Sequence, residues 1–226
     1  ELGGTPGVTP NLSRLIPEGI FWENYYSNSF RTDRGTASLI SGNVSYPEVS
    51  LMTAKEMHGK LPSLAKTFNR NGYSSSYLYA GPMTNMGKRT YLENCEFQHL
   101  LDYTAFTPEE LTSTWGADDE ISSMKVYSLL AQKDSTDKPL FFVYQTISSH
   151  EPWEVPYQRL DNKVHNAFAY TDHCVGQFLD SLSRTPIWDN LLVVVYADHG
   201  HTYGLTFDKP EFFHMPLFFV GGAVSK

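Results

Sequence analysis

Residues 191–200 read LLVVVYADHG, and both the fold class and the chemistry can be argued outward from this stretch. The seven apolar residues 191–197 favour a β-strand buried between two other layers. Asp198 and His199 follow that strand directly, and Gly200 lets the backbone turn beside them. Buried strands that end in polar groups are typical of α/β proteins, whose functional residues lie beyond the carboxyl ends of the strands.

Strand-like and helix-like segments alternate along the rest of the chain. Apolar runs predict further strands at Ile20–Tyr26, Tyr73–Tyr79, Pro139–Ile147 and Pro216–Val220, and the third run reads as buried on both faces. Capping residues and helical spacing predict helices between the strands, beginning near Thr9, Thr36, Leu61, Asp118 and His165. This alternation predicts an α/β fold with a mostly parallel β-sheet sandwiched by helices.

Composition indicates one globular domain. Of the 226 residues, 41% are hydrophobic and 19% are charged, which excludes a disordered chain. The longest apolar runs are far shorter than the roughly 20 residues that span a bilayer. A net charge of −8 without a Lys/Arg cluster argues against nucleic acid as a partner. Cys95 and Cys174 fit a disulfide and two buried thiols equally well.

Two strand ends carry the candidate catalytic and metal-binding residues. Asp198 and His199 offer an oxygen and an imidazole nitrogen to one cation, and the alternative is a solvated loop. After the strand at 20–26, a hydroxyl-rich loop runs into a helix. Thr32 or Thr36 there suits a nucleophile, because a helix N-terminus stabilises an alkoxide; the alternative is an N-cap. No neighbouring base is evident, so a metal is expected to deprotonate the threonine.

Two further strand ends carry candidate anion-binding residues. His150 follows the strand at 139–147, where it can donate to an anionic group or a leaving oxygen. Arg89 follows the strand at 73–79 and suits bidentate binding of phosphate. The alternatives are a loop histidine bonded to its own backbone and a solvated helix arginine, and the residues alone leave both choices open.

Together these segments resemble the sulfatase-like branch of the alkaline phosphatase superfamily. Residues 9–26 look like the opening helix and strand of that family, and residues 197–200 and 214–217 look like its later strands. Sulfatases place their catalytic residue ten positions before a glycine similar to Gly42, and Thr32 holds that place. The resemblance implies a single sulfatase-like catalytic domain over residues 1–226, which we expect to be a fragment truncated at both ends.

The threonine indicates one group within this family. True sulfatases carry a Cys or Ser that is oxidised to formylglycine, with an Arg four residues on, whereas this chain has Thr32 and Thr36. Thr32 instead resembles the nucleophile of lipoteichoic acid synthases and phosphoethanolamine transferases. That resemblance implies substrate-binding roles for Arg89 and His150, although Ala80 stands where the family has a second histidine.

Three more residues are candidates for the substrate site. Arg31 and Arg34 flank Thr32 and differ from the family's commoner residues, so they are expected to supply substitute cations. His214 precedes the late strand and is a candidate to face the site. Its alternative is an ordinary loop histidine.

The resemblance implies one divalent metal, manganese, magnesium or zinc, held by Thr32, Asp198 and His199. The family takes a further acidic ligand from a first strand upstream of its opening helix, and residues 1–8 carry no such strand. We therefore expect the fold to lack its first strand and the metal to bind weakly or not at all to this chain. The family's membrane anchor is likewise expected in a segment outside it.

The activity implied by the resemblance is metal-dependent transfer of a phosphoglycerol or phosphoethanolamine headgroup. The donor is a membrane phospholipid, the acceptor is a glycan or glycolipid, and the intermediate is a phosphothreonine. The expected location is the bacterial cytoplasmic membrane, with the domain on its periplasmic or extracellular side. One alternative is a phosphodiesterase or sulfatase-like hydrolase that uses the same site. Another is a catalytically silent domain that binds an envelope component.

Overall fold

The computed structural model describes residues 4–133 and 137–224 of the chain. Helices and strands alternate along it, as predicted. In chain order they are α1 (Pro10–Leu15), β1 (Ile20–Tyr26), α2 (Thr32–Ser41), α3 (Lys55–His58), α4 (Leu64–Arg70), β2 (Ser74–Tyr79), α5 (Lys88–Asn94), β3 (His99–Leu101), α6 (Asp119–Ala131), β4 (Leu140–Gln145), α7 (Lys163–Leu182), β5 (Val193–Tyr196) and β6 (His214–Val220).

One half of the fold is a parallel sheet in the strand order β3–β2–β4. Successive side chains of a strand point to opposite faces. Tyr77 of β2 therefore packs into the core beneath α2, α4 and α5, and Leu78 packs into the core beneath α6 and α7. Helices cover both faces, so the predicted α/β fold with a parallel sheet flanked by helices is confirmed.

The other half is a sheet in the order β1–β6–β5, in which both pairings are antiparallel. The expectation of mostly parallel pairing holds for the first sheet and is corrected for this one. Residues 197–213, between β5 and β6, contain a short 3-10 turn and no α-helix. The chain therefore reverses direction there, whereas a parallel neighbour generally needs a helical crossover.

Two strands lie at open sheet edges. Among the described strands, β4 pairs only with β2, and β5 pairs only with β6. All six residues of β4 are partly exposed, which corrects the expectation that this segment is buried on both faces. The expectation about a first strand concerns sequence outside this chain and stays a prediction.

Helix α7 joins the two halves. Its Phe178 packs against the apolar cores of both sheets. Its Asp172 is buried and accepts hydrogen bonds from the backbone N–H groups of Asn11 (3.0 Å) and Leu12 (2.8 Å) and from the Asn11 side chain (2.8 Å). At Gly176, an added Cβ would lie 2.5 Å from the Asn11 side-chain oxygen. This close approach fixes α1, and with it the start of β1, on α7.

The described residues also answer two smaller questions from the sequence. Cys95 and Cys174 are both buried and both unpaired, so the structure has two thiols rather than a disulfide. No helix in the described part of the chain has the length and apolar character needed to cross a bilayer.

Replacing Asp172 by Ala is expected to lower the free energy of unfolding by about 2–4 kcal/mol, because three donors lose a buried carboxylate. Urea unfolding followed by circular dichroism measures this loss. Asp180→Ala is the control on the same helix, because it removes an exposed ion pair with Arg14 and should cost below about 1 kcal/mol. Equal losses for the two variants would contradict the role assigned to Asp172.

Candidate functional site

Thr32 is the first residue of α2, so the helix begins one turn earlier than the predicted start at Thr36. The helix ends at Gly42, whose positive φ of 65° suits a residue without a Cβ. Gly35 lies in the first turn, and a Cβ there would be 2.5 Å from the backbone oxygen of Asp198. Only glycine allows this contact, which brings the N-terminus of α2 against the segment that follows β5.

The contact places Thr32 beside His199. The Thr32 hydroxyl oxygen lies 3.2 Å from His199 Nε2. His199 Nδ1 lies 2.7 Å from the carbonyl oxygen of Gly200, which can only accept a hydrogen bond. Nδ1 therefore carries the proton, and in the neutral ring Nε2 presents a lone pair to the Thr32 hydroxyl. The structure thus places a possible base, which the sequence did not reveal, next to the candidate nucleophile.

Asp198 completes a three-residue cluster. Its Oδ1 accepts a hydrogen bond from the backbone N–H of His199 (3.1 Å), and its Oδ2 lies 3.9 Å from His199 Nε2. The carboxylate, the imidazole lone pair and the Thr32 hydroxyl form a mixed oxygen and nitrogen donor set, which suits a divalent cation of the predicted kind. Within the described ranges, no group of three or more His, Cys, Asp or Glu side chains has a metal-binding arrangement. The described residues therefore supply only part of the ligands that a divalent cation needs.

The two arginines beside Thr32 have different surroundings. Arg34 is largely buried, donates hydrogen bonds to the carbonyls of Tyr46 (3.0 Å) and Pro47 (3.1 Å), and lies 4.8 Å from the centre of the Phe30 ring. Through these hydrogen bonds, Arg34 holds the loop after α2 in place. Arg31 is mostly exposed, with a side-chain exposure of 59%, and it remains a candidate to meet a ligand.

Asp33 is a charged group that the sequence pattern did not single out. Its side chain is buried, and its Oδ2 has no hydrogen-bond partner among the described residues. The guanidinium nitrogens of Arg34 and Arg31 lie 3.6 and 3.9 Å from its oxygens, at the long limit for ion pairs. Two carboxylates, those of Asp33 and Asp198, therefore belong to the chain neighbours of Thr32 and His199.

Arg89 forms an ion pair with Asp102. A guanidinium nitrogen of Arg89 lies 2.5 Å from Asp102 Oδ2, just beyond the end of β3. Burial alone would raise the pKa of Asp102, but hydrogen bonds from Thr104 and Arg89 outweigh it and hold the pKa below its ordinary value. The substrate-binding role of Arg89 stays a prediction, and it now requires the guanidinium to act from within this ion pair.

Lys88, the residue before Arg89, is the basic residue that turns inward. It is 6% exposed, and its Nζ donates a hydrogen bond to Gln145 Oε1 at the end of β4 (2.6 Å). The ammonium also lies 3.8 Å from the centre of the Tyr79 ring. The Lys-Arg pair is visible in the sequence, but which of the two is buried depends on how α5 is rotated.

His150 lies on the loop after β4 and contacts its own loop and one tryptophan. Its Nδ1 lies 2.8 Å from the carbonyl of Glu151, and its ring centre lies 4.7 Å from that of Trp115. The buried Asp119 anchors this loop through the backbone N–H groups of Ile147 (2.7 Å) and Ser148 (3.2 Å). His150 lines a small surface depression with Ser113, Trp115, Ile147, Ser148, Pro152 and Glu154.

His201 links this loop to the Thr32 cluster. Burial lowers the pKa of His201, and the positive forms of His199 and His150 lower it further, while Glu151 opposes them. His201 therefore lies within electrostatic range of both His199 and His150. No role could be assigned to His201 from the sequence, because the sequence of a loop does not show where its side chains point.

His214 lies at the start of β6 and contacts β1. Its Nε2 lies 2.6 Å from the carbonyl of Glu23, and its ring stacks on Tyr26 at 4.9 Å. These contacts occupy one ring nitrogen and one ring face. A role for His214 toward the substrate stays a prediction.

Comparison with known proteins gives a family match and several relatives. A sulfatase family model matches residues 1–220. Lipoteichoic acid synthase 2 of Bacillus subtilis (strain 168) is 23% identical over 217 residues, which cover 88% of this chain and 32% of that protein. The chain spans about a third of the length of the curated relatives that it matches.

Two solved structures have the same fold. A protein in the alkaline phosphatase superfamily from Vibrio parahaemolyticus has a TM-score of 0.90 at 26% identity, over 99% of this chain and 56% of that chain. The lipoteichoic acid synthase LtaP from Listeria monocytogenes has a TM-score of 0.86 at 17% identity, over 97% of this chain and 60% of that chain. These similarities confirm the fold class predicted from the alternation of helices and strands.

Gly35→Ala tests the close contact that forms the site. Alanine favours a helix, but its Cβ would meet the Asp198 carbonyl, so the free energy of unfolding should fall by about 1–3 kcal/mol. Gly59→Ala is the control, because an added Cβ there meets nothing within 4 Å and its φ is −64°. Urea unfolding of both variants measures the difference. A Gly35→Ala protein as stable as the wild type would contradict the contact.

Proposed function

This chain belongs to the sulfatase family, and on that premise we propose that it transfers a phosphoglycerol or phosphoethanolamine headgroup from a membrane phospholipid, with Thr32 as the nucleophile. The observation that carries the proposal is the 3.2 Å contact between the Thr32 hydroxyl and His199 Nε2. A threonine hydroxyl is a weak nucleophile by itself, and it needs a base, a metal or both beside it. Similarity to lipoteichoic acid synthases supports a phospholipid donor and a glycan or glycolipid acceptor.

In the proposed reaction, Thr32 Oγ1 gives its proton to His199 Nε2 and forms a bond to phosphorus, while the bond from phosphorus to the diacylglycerol oxygen breaks and that oxygen takes a proton from water. An acceptor hydroxyl then gives its proton to water, forms its own bond to phosphorus and releases Thr32 Oγ1, which takes back the proton held on His199. Negative charge that develops on the threonine oxygen lies at the N-terminus of α2, where the helix dipole stabilises it. The hydrogen bond from Nδ1 to Gly200 keeps Nε2 directed at Oγ1.

One divalent metal fits the donor set of Thr32, Asp198 and His199, in keeping with a family whose members are typically divalent-metal enzymes. When bound, such a metal lowers the pKa of a hydroxyl and polarises a phosphoryl oxygen. The lone pair of His199 Nε2 would then be a ligand rather than a hydrogen-bond acceptor, and the same tautomer serves both purposes. Manganese, magnesium and zinc all accept these donors.

Around this centre, we assign substrate binding to Arg31 and His150, while the roles expected of Arg89 and His214 stay predictions. Arg31 is exposed next to Thr32, and His150 lies on the edge that also carries His201. We place the enzyme at the bacterial cytoplasmic membrane, with this domain on the periplasmic or extracellular side and the membrane anchor outside residues 1–226. The similarity to lipoteichoic acid synthases supports that location.

A hydrolase is the second candidate. The side chains of Asp198 and His199 are 31% and 25% exposed, so water has access to the site. Water in place of the acceptor hydroxyl would release Thr32 and a free headgroup phosphate.

A catalytically silent domain is disfavoured, because the hydroxyl, the imidazole and the carboxylate are all present in one cluster.

Thr32→Ala in the full-length enzyme is expected to lower turnover of labelled phosphatidylglycerol by a factor on the order of 10⁴ or more, because the nucleophile is lost. Thr32→Ser should retain part of the activity, since it keeps the hydroxyl. Mass spectrometry then identifies the product, which is an extended glycolipid for a transferase and a free headgroup for a hydrolase.

The control for this test is Ser38→Ala, which removes a hydroxyl on the same helix that bonds to Asn28 rather than to the site. It should keep nearly full activity. Unchanged turnover in Thr32→Ala, or the absence of a phosphorylated Thr32 peptide after acid quenching, would refute the proposed nucleophile.

A further inference from the structure

Two loops of the chain expose apolar side chains to solvent. The first loop, residues 43–50, follows α2, and the second, residues 202–209, lies between β5 and β6. Each of the five largest apolar side chains on these loops is at least 40% exposed, and we call them together the apolar rim: Val44, Tyr46, Val49, Leu205 and Phe207. Exposed apolar groups that lie close together are typical of surfaces that meet a partner or a membrane.

Contacts tie both loops to the segment that carries Thr32. The ring centre of Phe207 lies 6.0 Å from that of Phe30, which stands two residues before Thr32. Arg34 stands two residues after Thr32 and donates a hydrogen bond to the backbone carbonyl of Tyr46 (3.0 Å). The Arg34 guanidinium also lies 4.8 Å from the centre of the Phe30 ring. Phe30 and Arg34 therefore connect the two loops to each other across the start of α2.

The two loops carry little charge. Their charged residues are Glu48, Asp208 and Lys209, and the whole chain has a net charge of −8. The exposed Arg31 adds one positive charge beside them. Long-range attraction therefore does not draw a charged partner to these loops. Whatever binds the apolar rim must be held by apolar contact.

A lipid bilayer meets this requirement at the right place. In the proposed reaction, the phosphorus that Thr32 attacks belongs to a phospholipid headgroup, so Thr32 must reach the headgroup layer. Apolar groups beside Thr32 then meet the boundary between headgroups and acyl chains, which interfacial segments enter to a depth of about 5–10 Å. Tyr46 combines an apolar ring with a hydroxyl, which suits this boundary.

We propose that the apolar rim contacts the bilayer surface and holds Thr32 at the depth of the phospholipid headgroups. This role rests on the proposed function. It also explains the contacts of Phe30 and Arg34, which fix the two loops relative to the nucleophile. Entry of the loops into the bilayer surface thereby sets the position of Thr32 as well.

The test is sedimentation of the purified 226-residue chain with vesicles made of equal parts of phosphatidylglycerol and phosphatidylcholine. Phe207→Ser and Tyr46→Ser should each lower the partition coefficient by about tenfold, because apolar area that leaves water on binding is lost. Phe207→Trp should bind at least as tightly as the wild type, because it keeps an interfacial ring. Met124→Ser is the matched control: Met124 is also 63% exposed, but it lies on α6, across the parallel sheet from α2, so this variant should bind like the wild type.

Salt and self-association distinguish the bilayer from other partners. Raising the salt concentration should change vesicle binding by less than about twofold, because apolar contact is not screened. Loss of binding at high salt, equal binding of Phe207→Ser and the wild type, or no binding by the wild type would overturn the proposal. A wild-type dimer that Phe207→Ser dissociates, without vesicle binding, would assign the rim to a second copy and would overturn the proposal too.

Two further measurements separate this proposal from the proposed function and from misfolding. Thr32→Ala should bind vesicles like the wild type, so a full-length enzyme that forms no phosphothreonine would refute the nucleophile while the rim still binds. Phe207 also contacts the buried Phe212, so urea unfolding of Phe207→Ser checks that the variant is folded. Tyr46→Ser supplies an independent variant whose altered side chain is mostly exposed.

Discussion

The close contact between Gly35 and the backbone of Asp198 is the constraint on which the rest of the site depends. It brings the first turn of α2 against the segment that leaves β5, so that Thr32 meets His199. The sequence alone does not show that Thr32 and His199 meet, because 167 positions separate them. The second half of the arrangement is the hydrogen bond from His199 Nδ1 to Gly200, which turns the lone pair of Nε2 toward the hydroxyl.

The two sheets carry different parts of the candidate site. The antiparallel sheet carries the Asp198–His199 segment beyond β5, while the parallel sheet carries the His150 loop beyond β4. Helix α7 packs under both sheets, and its Asp172 fixes the opening helix of the chain. The candidate site thus lies where two separately paired sheets meet over one helix, and the acids Asp33 and Asp198 are the chain neighbours of Thr32 and His199.

Some of this arrangement was predictable from the sequence and some was not, for physical reasons. Asp198 and His199 could be found because a buried apolar run must end at a sheet edge, and the residues directly after the run must lie at that edge. The antiparallel pairing of β6 could not be predicted, since an apolar run does not indicate whether its strand pairs in the parallel or the antiparallel orientation. Which of Lys88 and Arg89 is buried could not be found for a related reason: successive helix residues point about 100° apart, and only packing shows which one turns inward. His150, which the sequence placed at the same edge, lies there on a loop held by Asp119.

In the proposed reaction, activation of Thr32 depends on a neutral His199 that carries its proton on Nδ1 and directs Nε2 at the hydroxyl. Long-range ¹H–¹⁵N correlation spectra of the histidine-labelled chain, recorded in mildly alkaline buffer, report the protonation of each ring nitrogen directly. We predict a protonated Nδ1, an unprotonated Nε2, and a change in the Nε2 resonance alone when Thr32 is replaced by Val. A proton on Nε2, or an Nε2 resonance unaffected by Thr32→Val, would contradict this central claim.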